Sequence, residues 1–251
     1  MYVSSAENTS EKIAELFEKA RQILAESDSD WSEWTVELLE DKDSLSIKPG
    51  AEKKIVVGAQ RRAAANDELQ GLFGHEVLVH AQRSLNGRKK SDILSTGLPG
   101  YLDFEEGLGT FFEYAITGKI PQKNVDRYVD IAIGVGLMTD SGVSRITMMK
   151  FATAREILRA QLAETVIDET IIKSKVAAHI NRLYRGTTGD AESIGLFTKD
   201  IAYQKGFEEA GEYIADRLEA GESIENIIMY LLEGKFNPLD KRHVEYVDSV
   251  S

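Results

Sequence analysis

Only one stretch of this sequence, Trp31 to Gly58, has the texture of strands: short runs rich in Trp, Thr, Val and Ile (WTVELL, LSIKP, KIVVG) parted by Asp, Lys, Pro and Gly. Nearly everything else carries the three- and four-residue apolar spacing of helices. From Ser10 to Ala25, Ile13, Leu16, Phe17, Ala20, Ile23 and Leu24 mark one face of an amphipathic helix. Helical texture returns at Ala63 to Leu85 and Phe104 to Thr117, then at Val125 to Thr139, Gly142 to Glu164, Asp168 to Tyr184, Lys199 to Ala220 and Ser223 to Glu233. Gly87 to Asp103, with GRKK, STG and LPG, has loop composition. Three short runs make one small sheet, expected to be antiparallel, so the fold class is mainly α (α+β) with that sheet near the N-terminus. The four prolines are scattered and no repeat is visible. A single domain is expected, with an N-terminal helix over 1–30, a sheet over 31–59 and a helical body over 60–251.

Composition narrows the function. At 251 residues and 42% hydrophobic content the chain can bury a substantial core. Its 42 acidic residues against 30 basic ones leave a net charge of −12, which opposes binding to a phosphate backbone. No nucleic-acid partner is expected. No run of apolar residues is long enough for a membrane span, and MYVSSAENTSEKIAEL lacks the form of a secretory signal, so a soluble, cytoplasmic protein is expected. With no cysteine there is no disulfide, thiolate ligand or cysteine nucleophile, and any metal site must use His, Asp and Glu.

Two of the four histidines fall together in GHEVLVH, where His75, Glu76 and His80 interrupt the apolar pattern of Leu69, Leu72, Phe73, Val77 and Leu78. In HExxH peptidases the histidines are four apart, about 40° from alignment on a helix. Here they are five apart, and five steps of about 100° leave them about 140° out of line. A π-bulge between Glu76 and His80, adding one residue to a turn, would return both to one face. Glu76 would then stand beside a metal, able to take a proton from its bound water. A catalytic zinc site needs a third ligand, and Glu105, Glu106 and Glu113 in the apolar helix FEEGLGTFFE are the candidates. Gly107 and Gly109 would let that helix approach another backbone closely.

Taken together, HEVLVHAQRSLNG (His75 to Gly87), FEEGLG (Phe104 to Gly109), RLYRGTTG and FTKDIAYQKG (between Arg182 and Gly206) resemble the HExxxH metallopeptidase family of the microtubule-associated tyrosine carboxypeptidases. That family is also met in bacteria as "flavohemoglobin expression-modulating QEGLA motif" proteins. The resemblance spans about Leu45 to Tyr246. It implies a zincin-like helical domain and a zinc carboxypeptidase, with one Zn²⁺ per chain held by His75, His80 and Glu106 and with Glu76 as general base. EEGLG stands where QEGLA or TEEGLA is usual. The substrate implied is the C-terminus of a peptide or protein; the alternative is a catalytically silent, metal-containing peptide-binding or regulatory protein.

A carboxypeptidase must pair a terminal carboxylate, which planar bidentate donors do best, directing attention to Arg83, Arg182, Arg185 and Lys199. Family-like positions add Asn86 to Arg83 and Arg185. Tyr184 could donate to a developing oxyanion, and His179 could assist as a further donor. Tyr101, Phe104 and Tyr203 could line a pocket for the terminal side chain. KIVVG, just before the motif, is where an edge strand could pair with an extended substrate. Arg88, Lys89 and Lys90 could attract an acidic tail locally, and His243 is expected to be exposed.

Overall fold

The three strand-textured runs become β1 (Thr35–Leu39), β2 (Leu45–Lys48) and β3 (Lys54–Gly58). In this computed structural model, which describes residues 8–50, 52–120, 122–138, 141–166 and 168–250, β3 lies between the other two. It runs parallel to β1, with Thr35 opposite Lys54 and Leu39 opposite Gly58, and antiparallel to β2, with Leu45 opposite Val57. The sheet is therefore mixed, not antiparallel as expected. Local alternation reports that a strand exists but not which neighbour it takes. Ile55, Val56 and Val57 are all buried, which is why KIVVG reads as a continuous apolar run, as in strands covered on both faces. The central place of β3 also removes the expected substrate-pairing role of Ile55 to Gly58, because both of its edges already hold ladder partners.

Helix α1 (Ser10–Ser27) begins at Thr9, whose hydroxyl accepts from the Lys12 amide. It buries Ile13 and Phe17 in one core with Trp31, Trp34, Ile55, Val57, Val77, Ala81 and Leu85. The Ile, Phe, Val and Leu side chains among them each contribute about 1.5–3 kcal/mol by leaving water. Next comes one uninterrupted rod: α2 (Asn66–Leu72), a π-helical segment (Phe73–Ala81) and α3 (Gln82–Lys90). Trp31 Nε1 donates to Gln82 Oε1 at 3.0 Å, tying the first core to this rod. The expected loop from Gly87 is largely helical, because α3 runs on to Lys90 and the Ser91 hydroxyl caps α4 (Asp92–Thr96). Helix α5 (Leu102–Thr117) follows and stops at Gly118 in the left-handed conformation, φ 67°.

Contacts divide the chain into two units: Met1–Ile120 with Lys205–Ser251, and Pro121–Gln204. In the first, α9 (Ile201–Glu219, from Lys205 onward) and α10 (Ile224–Leu231) close a second core of Val79, Phe104, Leu108, Ala210, Ile214, Ile227 and Leu231. Helix α11 (Lys241–Val250) was not foreseen. It buries His243, expected to be exposed, whose Nδ1 accepts from the Asn237 amide at 2.9 Å. The second unit holds α6 (Gln122–Gly134), α7 (Arg145–Leu162) and α8 (Glu169–Leu183), around Ile131, Met148, Ala152, Val176, Ile180 and Leu183. Thr139, the expected end of the helix from Val125, lies outside the described residues. Among the described residues no helix is long and apolar enough to cross a membrane.

Candidate metal centre

The backbone from Phe73 to Ala81 is π-helical, so the bulge expected between Glu76 and His80 is present and reaches beyond both. With about one extra residue per turn, His75 and His80 come onto one face, their ring centroids 4.9 Å apart and their planes at 73°. Packing fixes the irregular segment from two sides: Val77 and Ala81 enter the first core and Val79 the second.

Helix α5 brings the carboxylates. Oε2 of Glu106 lies 3.8 Å from Nε2 of His75 and 3.7 Å from Nε2 of His80. The ligand-type atoms of His75, His80 and Glu106 all fall within 4.8 Å of one another. Glu105 reaches the far side of His80, its Oε1 2.9 Å from Nδ1. Glu113, seven residues after Glu106 and so within about 20° of the same stripe, sets Oε2 3.6 Å from His75 Nδ1. Gly109 lies between them, and a Cβ there would stand 2.8 Å from Cδ2 and Nε2 of His75. The imidazole thus lies directly over a glycine. The expected close approach at Gly107 is also present: a Cβ there would be 1.9 Å from the carbonyl carbon of Gly206 in α9.

Burial disfavours the His80 imidazolium, yet hydrogen bonds to Glu105 and Glu106 raise its pKa to about 10. His75 is raised as well, burial being outweighed by Glu106 and Glu113. Burial opposes the charge on Glu106, but His75 and His80 hold its carboxyl far below the usual range. Glu105 is held equally low against burial, chiefly by Arg83 and then Lys235. With both imidazoles neutral, as ligation to a metal requires, the four acidic side chains of Glu76, Glu105, Glu106 and Glu113 face two basic ones, Arg83 and Lys235, a formal surplus of two negative charges. Two imidazole nitrogens, one carboxylate oxygen and that surplus fit a divalent cation, and zinc suits this donor set. Glu76 is half-buried beside His75 and makes no hydrogen bond or ion pair among the described residues.

Several expected substrate contacts have other work. Arg83 is fully buried; its guanidinium donates to Glu105 and, at 2.6 Å, to the Phe236 carbonyl, so it is closed to a substrate carboxylate. Asn86 donates to the Leu232 carbonyl and accepts from Gln82, both at 2.9 Å. Phe104 is a core residue, leaving Tyr101 and Tyr203 partly exposed. Lys89 pairs with Asp28 and Asp30, and Lys90 with Glu233, which spends most of the local positive charge beside the motif. In the second unit the Tyr184 hydroxyl donates to the Val143 carbonyl at 2.8 Å from a buried position, so it is no oxyanion donor. Arg182 is bidentate to Asp200, and His179 Nε2 lies 2.6 Å from Asp130 Oδ2. Arg185, stacked 3.8 Å over Phe197, and Lys199 are exposed. Lys235, 3.1 Å from Glu105, carries no local signal in the sequence that would place it here. The outer role of Glu113 could have been found from its seven-residue step after Glu106.

A mainly helical chain whose π-helical segment and α5 converge two histidines and a glutamate carries a candidate metal centre. Comparison of the sequence with family models identifies the particular group: the microtubule-associated tyrosine carboxypeptidase family matches residues 4–248, nearly the whole chain, and the protein belongs to that family. Membership places it among carboxypeptidase-type peptidases. A comparison with curated proteins finds no match.

Proposed function

We propose that the protein is a zinc-dependent carboxypeptidase that removes one C-terminal residue, of the tyrosine or glutamate type, from a peptide or protein tail in the cytoplasm. The observation that carries this reading is the meeting of His75, His80 and Glu106 within 4.8 Å, beside an uncommitted Glu76. A zinc ion held by those three residues, one per chain, would lower the pKa of a bound water to about 7 and polarise a peptide carbonyl. Glu76 would serve as the general base, taking a proton from that water and passing it to the leaving amine. Its freedom from other partners supports that role.

The test is elemental analysis of the purified protein beside a His75→Ala, His80→Ala double variant, followed by assay of peptides with free or amidated C-termini. About one zinc per chain, lost in the variant, with cleavage only of free C-termini, is the expected result. Zinc binding without cleavage of any peptide would make this a silent metal-containing peptide-binding protein. Absence of zinc after zinc is supplied would end the metallopeptidase reading.

A further inference from the structure

We propose that Glu105, clamped by Arg83 and Lys235, is the positioning residue of the metal centre: it fixes which nitrogen His80 presents beside Glu106. This rests on His80 being a metal ligand. An imidazole has two nitrogens, and the one available to a metal is set by the bond the other makes. Nδ1 of His80 faces Oε1 of Glu105 at 2.9 Å, leaving Nε2 on the side of Glu106. A carboxylate can orient a ring only if it is itself held. Arg83 donates to the other oxygen, Oε2, and Lys235 Nζ lies 3.1 Å from Oε1. Arg83 is anchored in turn by the Phe236 carbonyl at 2.6 Å. With donors on both of its oxygens, Glu105 is held as an acceptor and Nδ1 faces it as the donor.

The energetics point the same way. Glu105 is 1% exposed, Arg83 0% and Lys235 6%. Burying three charges is costly, and apolar residues of similar shape usually serve a core as well or better. Stability alone gives no reason for such a cluster behind His80. Orientation does, and it explains why Arg83, three residues after His80, faces inward.

The test uses Glu105→Gln and the charge-balanced double variant Glu105→Gln, Lys235→Met, with Lys235→Met as control. In the glutamine variants Arg83 still requires an acceptor, so the amide oxygen turns to it. The amide N–H₂ then faces His80 Nδ1 and drives the ring proton to Nε2. Zinc affinity, measured by competition with a chromophoric chelator, should fall about 10- to 100-fold in both glutamine variants, with far-ultraviolet circular dichroism unchanged. The double variant keeps the test valid if the single one does not fold. Independently of metal, nuclear magnetic resonance of the metal-free wild type should show a strongly deshielded, exchange-protected His80 Nδ1 proton that the glutamine variants lack. If the wild type binds no zinc, the peptidase reading falls, while that proton still decides whether Glu105 orients the His80 ring. Zinc affinity within twofold of wild type in the double variant, or no such proton in the wild type, would overturn it.

Discussion

His80 and His179 both rest against a buried carboxylate, but in different company. In the second unit Asp130, fully buried, accepts from both terminal guanidinium nitrogens of Arg155 and faces His179. Next to it Asp126 receives Arg159 in the same two-pronged way, and Glu156 takes Lys175. Acids and bases there match one for one, so the cluster satisfies itself and reads as structural. Around His80 the acidic side chains outnumber the lysine and arginine ones by two, and the remaining donors converge on one point. A histidine beside a carboxylate is therefore uninformative until the local charge is counted. The imbalance separates a site from a brace.

The comparison can be broken by mutation. The largest expected effect is that of Glu76→Gln: turnover falls by about 10²- to 10⁴-fold while zinc content stays at one per chain. Unchanged peptide hydrolysis would remove Glu76 from the chemistry. Asp130→Ala strands Arg155 and His179, and should cost about 3 kcal/mol in urea unfolding with zinc affinity unaltered. A loss of zinc affinity there would show that the brace also serves the site. Gly109→Ala places a methyl 2.8 Å from the His75 ring. Overpacking of that kind costs about 1–3 kcal/mol, read as weaker zinc binding at unchanged helical content.

The smallest effect is one of pH. His80, raised to about 10 by Glu105 and Glu106 against burial, holds a proton through neutral pH when no metal is bound, and zinc must displace it. Each unit of rising pH should therefore strengthen zinc binding about tenfold per proton released. Isothermal titration across buffers of different ionisation enthalpy checks this. The sign for folding is opposite. Stability that the raised His80 gives the metal-free protein is full below 6.5 and is lost as pH climbs towards 10.

The sequence disclosed most where geometry is local. Five residues between histidines is an angle before it is a structure, so the π-helical turn could be read from His75 and His80 alone. The helices of the body were likewise visible in their apolar stripes. Strand order was not: nothing in KIVVG says that β3 enters between β1 and β2, and the edge-strand role failed on that point. Arg83 looked like a substrate clamp because an arginine near a motif does not announce whether it faces solvent or Glu105. His243, in a polar stretch, gave no sign of the buried pocket formed with Pro99 and Asn237. Partners distant in sequence decided each of these.

The contact between Gly107 and Gly206 has one more consequence. A Cβ at Gly206 would fall 2.0 Å from the Asp103 carbonyl oxygen, so α5 and α9 meet main chain to main chain. Helices held apart by side chains can slide as those side chains are exchanged over time. Here the spacer is the polypeptide itself, and the register of α5 is gauged by atoms that substitution cannot trim. Glu105, Glu106 and Glu113 ride on that helix together. Sequence drift across the surface of α5 can then proceed while the three carboxylates keep their alignment, and the places where drift must stop are two residues with no side chain at all.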